Sequence, residues 1–81
     1  MNFIKESFSY KVTLLGGNEL LVEGHKGLSY YTEKEIVIRI KGKKFFVKGE
    51  SLYVKEINED ELLVCGRILS FGVVEWFLAK K

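Results

Sequence analysis

Leu20-Leu21-Val22-Glu23-Gly24, Phe45-Phe46-Val47-Lys48-Gly49 and Leu62-Leu63-Val64-Cys65-Gly66 are one word written three times: two apolar residues, valine, a variable residue, glycine. In a pleated strand the first apolar residue, the valine and the glycine share one face, while the second apolar and the variable residue share the other. Each copy therefore reads as a strand with a buried face, closed by a glycine where the chain must bend, bulge or admit another backbone. Two architectures accommodate the repetition: equivalent strands of a meander or small barrel, or stacked rungs of a short β-solenoid. The copies are 25 and then 17 residues apart (Leu20 to Phe45 to Leu62), too uneven for regular rungs. The meander is the expected form.

The segments around these copies follow the same two-residue period. Residues 10–15 alternate apolar Tyr10, Val12 and Leu14 with polar Lys11 and Thr13, and Gly16-Gly17-Asn18 supplies a tight turn into the first copy. Ile36, Ile38 and Ile40 share a face opposite Arg39, and Lys41-Gly42-Lys43 turns the chain into the second copy. Residues 52–57 form another strand, Asn58-Glu59-Asp60 another turn, and Phe71, Val73, Val74 and Trp76 fit a final strand with both faces partly covered. No segment has a helical period. The expected fold is all-β: seven or eight short, mostly antiparallel strands in a meander closing toward a small barrel or sandwich. One domain is expected over residues 10–78, with a lead-in at 1–9 and a basic end at 79–81.

Composition excludes several classes. With 81 residues, 47% of them hydrophobic, the chain suits one small globular domain with a thin stability margin. Thirteen basic against eleven acidic residues leave a net charge of +2, too mild to demand a polyanionic partner. A single cysteine, Cys65, rules out an intrachain disulfide, and one cysteine with one histidine cannot assemble a Cys/His zinc site. The longest apolar stretch, 71–79, is interrupted by Glu75 and falls well short of the roughly 20 residues of a spanning helix. Lys5 and Glu6 stand where a signal peptide needs an apolar run, so a reduced, cytoplasmic, soluble protein is expected.

No residue set announces catalysis. His25, in a glycine-flanked loop, has no serine or cysteine nucleophile in a recognisable context, which makes loop capping or partner contact its expected role. Cys65 reads as a small packed side chain. The glycines build neither a phosphate-binding loop nor a dinucleotide fingerprint. No catalytic residue, metal ligand or cofactor is assigned. Arg39, Lys41, Lys43, Lys44 and Lys48 gather five cations without an intervening acid, with Phe46 on the face of Lys44 and Lys48. They form a candidate polyanion-binding hairpin, weighed against a solvated tip whose charges guard an edge. Glu56, Glu59, Asp60 and Glu61 form an opposite cluster, so homotypic assembly through segregated charge is a further expectation. Trp76, Phe77 and Leu78 before Lys80-Lys81 are candidate partner contacts, unless the last strand buries them in the core.

Residues 10–76 resemble the YabP/YqfC family of sporulation proteins, the YqfC branch above all. The resemblance rests on Val12-Thr13-Leu14-Leu15-Gly16-Gly17-Asn18, Val22-Glu23-Gly24-His25-Lys26-Gly27-Leu28-Ser29-Tyr30, Thr32-Glu33-Lys34-Glu35-Ile36, Val47-Lys48-Gly49-Glu50-Ser51-Leu52 and Cys65-Gly66-Arg67-Ile68-Leu69-Ser70. Each word is ordinary strand vocabulary; the specific part is their order around the His-Lys-Gly-Leu-x-Tyr centre, which adds His25 and Tyr30 to the candidate partner contacts. The resemblance implies a non-enzymatic protein of endospore formers, made in the mother cell and needed for spore development. Its implied location is the mother-cell cytoplasm or the periphery of the forespore envelope. The implied partner is a membrane-bound sporulation protein; the residues themselves add self-association as an expectation, with either partner engaged through strand edges and aromatic contacts. The first segments also share a pattern with the small barrels of Sm-like proteins, a likeness of fold alone. The alternative reading is a small-barrel nucleic-acid binder using the hairpin 39–48.

Overall fold

The structure, a computed structural model, describes residues 10–75. Among these residues there are six strands and no helix: β1 (Lys11–Leu15), β2 (Glu19–Glu23), β3 (Gly27–Tyr31), β4 (Glu35–Ile40), β5 (Lys43–Ile57) and β6 (Glu61–Glu75). All pairings are antiparallel, in one open sheet of order β1-β2-β6-β5-β4-β3. The all-β expectation holds, whereas the count of seven or eight strands and the closing barrel do not. Segments separated at Gly49 and Gly66 are halves of two continuous 15-residue strands. The antiparallel order also removes the solenoid, whose rungs would lie parallel.

The bend in β5 and β6 makes a core possible. Residues 53–57 of β5 lie beside 62–65 of β6, and β2 flanks that half of β6 with β1 beyond it. Past the bend, residues 43–50 of β5 lie between β4 and residues 67–75 of β6. One face of a single sheet can be sealed from water only if the sheet folds over on itself. Leu20, Val22, Leu62 and Val64 of the first half are fully buried in one cluster with Ile36, Ile38 and Val47 of the second. The three repeated words thus supply three inward pairs, Leu20/Val22, Phe45/Val47 and Leu62/Val64, all buried.

Two of the word-ending glycines make the bend. A Cβ on Gly49 would lie 2.0 Å from the Arg67 carbonyl oxygen, and one on Gly66 would lie 2.5 Å from that of Ser51. Gly66 also has φ +126°, where side chains are strained. Register shifts between Lys48 and Gly49 and between Glu50 and Tyr53 absorb extra residues there, and Ser51 takes φ +53°. The neighbouring turns use side-chain caps. Thr32 Oγ1 accepts from the Lys34 and Glu35 amides, and Asn58 Oδ1 accepts from those of Asp60 and Glu61.

Candidate functional site

Only Gly24, His25 and Lys26 join β2 in one half of the folded sheet to β3 in the other. The connector is held on both sides: the Gly24 amide donates to the Asp60 carbonyl and the Lys26 amide to that of Arg39, each at 2.7 Å. His25 fills the gap between them and is buried. Its Nδ1 accepts from the Gly27 amide at 2.9 Å, which places the ring proton on Nε2, the donor to the Asn58 carbonyl at 2.8 Å. Both polar atoms of the ring are engaged within the chain, an arrangement that caps the loop.

The basic hairpin divides between two tasks. The Arg39 guanidinium reaches back over Gly27 and donates to the Lys26 carbonyl at 3.2 Å and the Leu28 carbonyl at 3.4 Å. That position requires Gly27, since a Cβ there would lie 2.5 Å from Arg39 Nη2. Lys41 is exposed at the turn, and Lys43 stands in register with Ile40 and Glu75. Lys44, Phe46 and Lys48 share the outer face and line a shallow groove with Tyr30, Val37 and Val74. Lys48 Nζ lies 5.5 Å from the centre of the Phe46 ring, a cation–π contact. Glu35, in register with Lys48, sets a carboxylate into the same face. The face is aromatic and mixed in charge.

Cys65 is buried, its Sγ 3.9 Å from Glu19 Oε2, which Lys55 Nζ also approaches to 3.9 Å. Glu23, Asp60 and Glu61 bring carboxylate oxygens within 4.8 Å of one another at the opposite end of β2, where Asp60 is exposed and Glu23 and Glu61 stand in register.

The strand edges differ more sharply than the sequence suggests. The far half of β5 is guarded: the Leu52 amide donates to the Glu33 carbonyl at 2.8 Å and the Val54 amide to the Tyr31 hydroxyl at 3.0 Å. Tyr31→Phe is expected to leave the fold intact at a cost of about 0.5–1.5 kcal/mol. The Val54 amide should then exchange faster with solvent, which hydrogen-exchange NMR would read. The far half of β6 is open instead. β2 covers it only at residues 61–65, so among the described strands residues 67–75 pair on one side only. Leu69 is 59% exposed, Phe71 44%, Val73 and Val74 40% each. Trp76, Phe77 and Leu78, the aromatic contacts expected from sequence, lie outside the described residues. The signal in the sequence for this edge is the uncharged run 68–74, which lacks the lysines or prolines that usually blunt an edge.

A family model described as the YabP family matches residues 6–75, and so spans all six strands and the open edge. The chain belongs to the YabP family. Among curated proteins, this YabP-family chain is similar to an uncharacterized protein, YqfC, of Bacillus subtilis (strain 168), 28% identical over 58 residues. The match takes in 72% of the chain but 62% of that protein, less than two thirds of its length. No solved structure matches the chain. Within the YabP match lie His25, Tyr30, the hairpin from Arg39 to Lys48 and the whole of β6; Trp76 and the residues after it fall beyond it.

Proposed function

We propose that this YabP-family protein is a non-catalytic assembly factor in spore development. It acts in the mother cell and binds either a second copy of itself or a membrane-bound sporulation protein. The mode is strand addition, in which an extended segment pairs with the free edge of β6 and main-chain hydrogen bonds supply the affinity. One observation carries this reading: residues 67–75, paired on one side only among the described strands, display Leu69, Phe71, Val73 and Val74 to solvent. Resemblance to the YabP/YqfC family supplies the sporulation context. The nucleic-acid alternative is weaker, because Arg39 is tied to β3 and Glu35 interrupts the basic face. The test is co-purification of the tagged full chain from sporulating cells, comparing the wild type with Val73→Lys. The variant should fold normally, since Val73 is 40% exposed, yet lose its partners. Unchanged recovery of the same partners by the variant would refute the reading.

A further inference from the structure

We infer that the partner of the open β6 edge is the β6 edge of a second copy, paired antiparallel across a two-fold axis to continue the sheet through a dimer. The inference rests on the proposal that this edge is a docking surface, and it names the occupant. Three features of residues 67–75 select it.

The first is length. The open segment has nine residues, against five each in β1 and β3, and β3 is interrupted by a register shift between Leu28 and Tyr30. Nine residues at about 3.4 Å each give a seam of about 30 Å, enough for about eight inter-strand hydrogen bonds. The second is its uncharged interior: Ile68-Leu69-Ser70-Phe71-Gly72-Val73-Val74 contains no charge and no proline. When the strand meets itself, no ionised group is placed within the seam.

The third is the pair of charges at its ends, Arg67 and Glu75, each four residues from Phe71. Antiparallel self-pairing centred near Phe71 brings the Arg67 end of each strand to the Glu75 end of the other. Parallel pairing would set like charges together at both ends. Arg67 contacts Glu50 at 3.6 Å, but its side chain stays 73% exposed, within reach of a carboxylate arriving at the seam. Such an interface is isologous: one charge rule, met once, is met twice. A strand from an unrelated protein has no reason to carry this reversed pattern.

Joining two copies in this way also extends the groove of Tyr30, Val37, Phe46 and Val74, because Val74 lies on its β6 side. The outer faces of both molecules become one surface across the two-fold axis.

The experiment is sedimentation equilibrium of the full chain at micromolar to millimolar concentration, with circular dichroism to show that every variant is folded. The wild type should dimerise, and Val73→Lys should raise the dimer Kd at least about thirtyfold, as loss of a central contact does. Arg67→Glu or Glu75→Arg alone should each raise it about tenfold, and the double reversal should restore it, because both end pairs change together. A strict monomer, a dimer indifferent to Val73→Lys, or a double variant as weak as the singles overturns the inference. If the wild type is monomeric but Val73→Lys still loses its sporulation partner in the pull-down, self-pairing fails and the docking proposal survives. If it is monomeric and the variant keeps that partner, both fail.

Discussion

Gly66→Ala is expected to unfold the protein or cost it more than about 3 kcal/mol. Two costs add at this position. The backbone has φ +126°, and holding an L-residue in such a region costs about 1–3 kcal/mol. The new Cβ would also lie 2.5 Å from the Ser51 carbonyl oxygen and 2.8 Å from the Leu52 Cα. Both are backbone atoms of the opposing strand and cannot rotate away, so relief requires β5 and β6 to separate at the bend, at about 1–3 kcal/mol for overpacking. A single core of this size rarely supplies more than about 3–5 kcal/mol in total. Gly42→Ala is the control, since Gly42 also has positive φ (+69°) but nothing within 4 Å of its added Cβ. It should cost about 1–2 kcal/mol, the strain alone. Urea unfolding of the three proteins measures the difference, and equal midpoints for the two variants would mean that the strands do not cross closely at Gly66.

The same glycine shows what the sequence disclosed and what it hid. The two-residue period of Leu20/Val22, Phe45/Val47 and Leu62/Val64 was sufficient to place three buried strand faces, because alternation is a local consequence of the pleat. Whether a glycine ends a strand or bends it is not local. Gly49 lies next to Glu50-Ser51, which would suit a loop, yet beyond both Gly49 and Gly66 the ladder resumes because each relieves a contact with the other strand. Reading them as ends gives seven or eight segments where six strands exist, and hides the folding of the sheet upon itself.

The candidate site divides along the same line. Lys44, Phe46 and Lys48 share a face by period alone, and the structure keeps them together. Glu35 enters that face from β4, and Arg39 leaves it to bind carbonyls of β3 and the connector, both through pairings that no single strand encodes. The open edge is similar. An uncharged stretch such as 68–74 becomes meaningful once β2 is seen to stop at its partner Cys65.

His25→Ala carries the second large effect, about 2–4 kcal/mol from a buried void and the loss of two hydrogen bonds. The substitution leaves the Gly27 amide and the Asn58 carbonyl without their partners, at the point where a three-residue connector joins the two halves of the sheet. Destabilisation alone would not distinguish a loop cap from a buried anchor of some other kind, so the pattern of hydrogen exchange is the informative measurement. Gly24, Lys26 and Gly27 should lose protection first, since all three amides donate within or beside the connector. Amides in the β4–β5 ladder around Ile38 and Phe45 should retain protection close to the global unfolding limit. Dimerisation of the folded variant, measured at low temperature, should match the wild type, because His25 is buried and far along the chain from the β6 seam. Loss of association with normal stability and an unchanged exchange pattern would instead make His25 a contact residue. The connector would then be held by its two backbone hydrogen bonds without help from the ring.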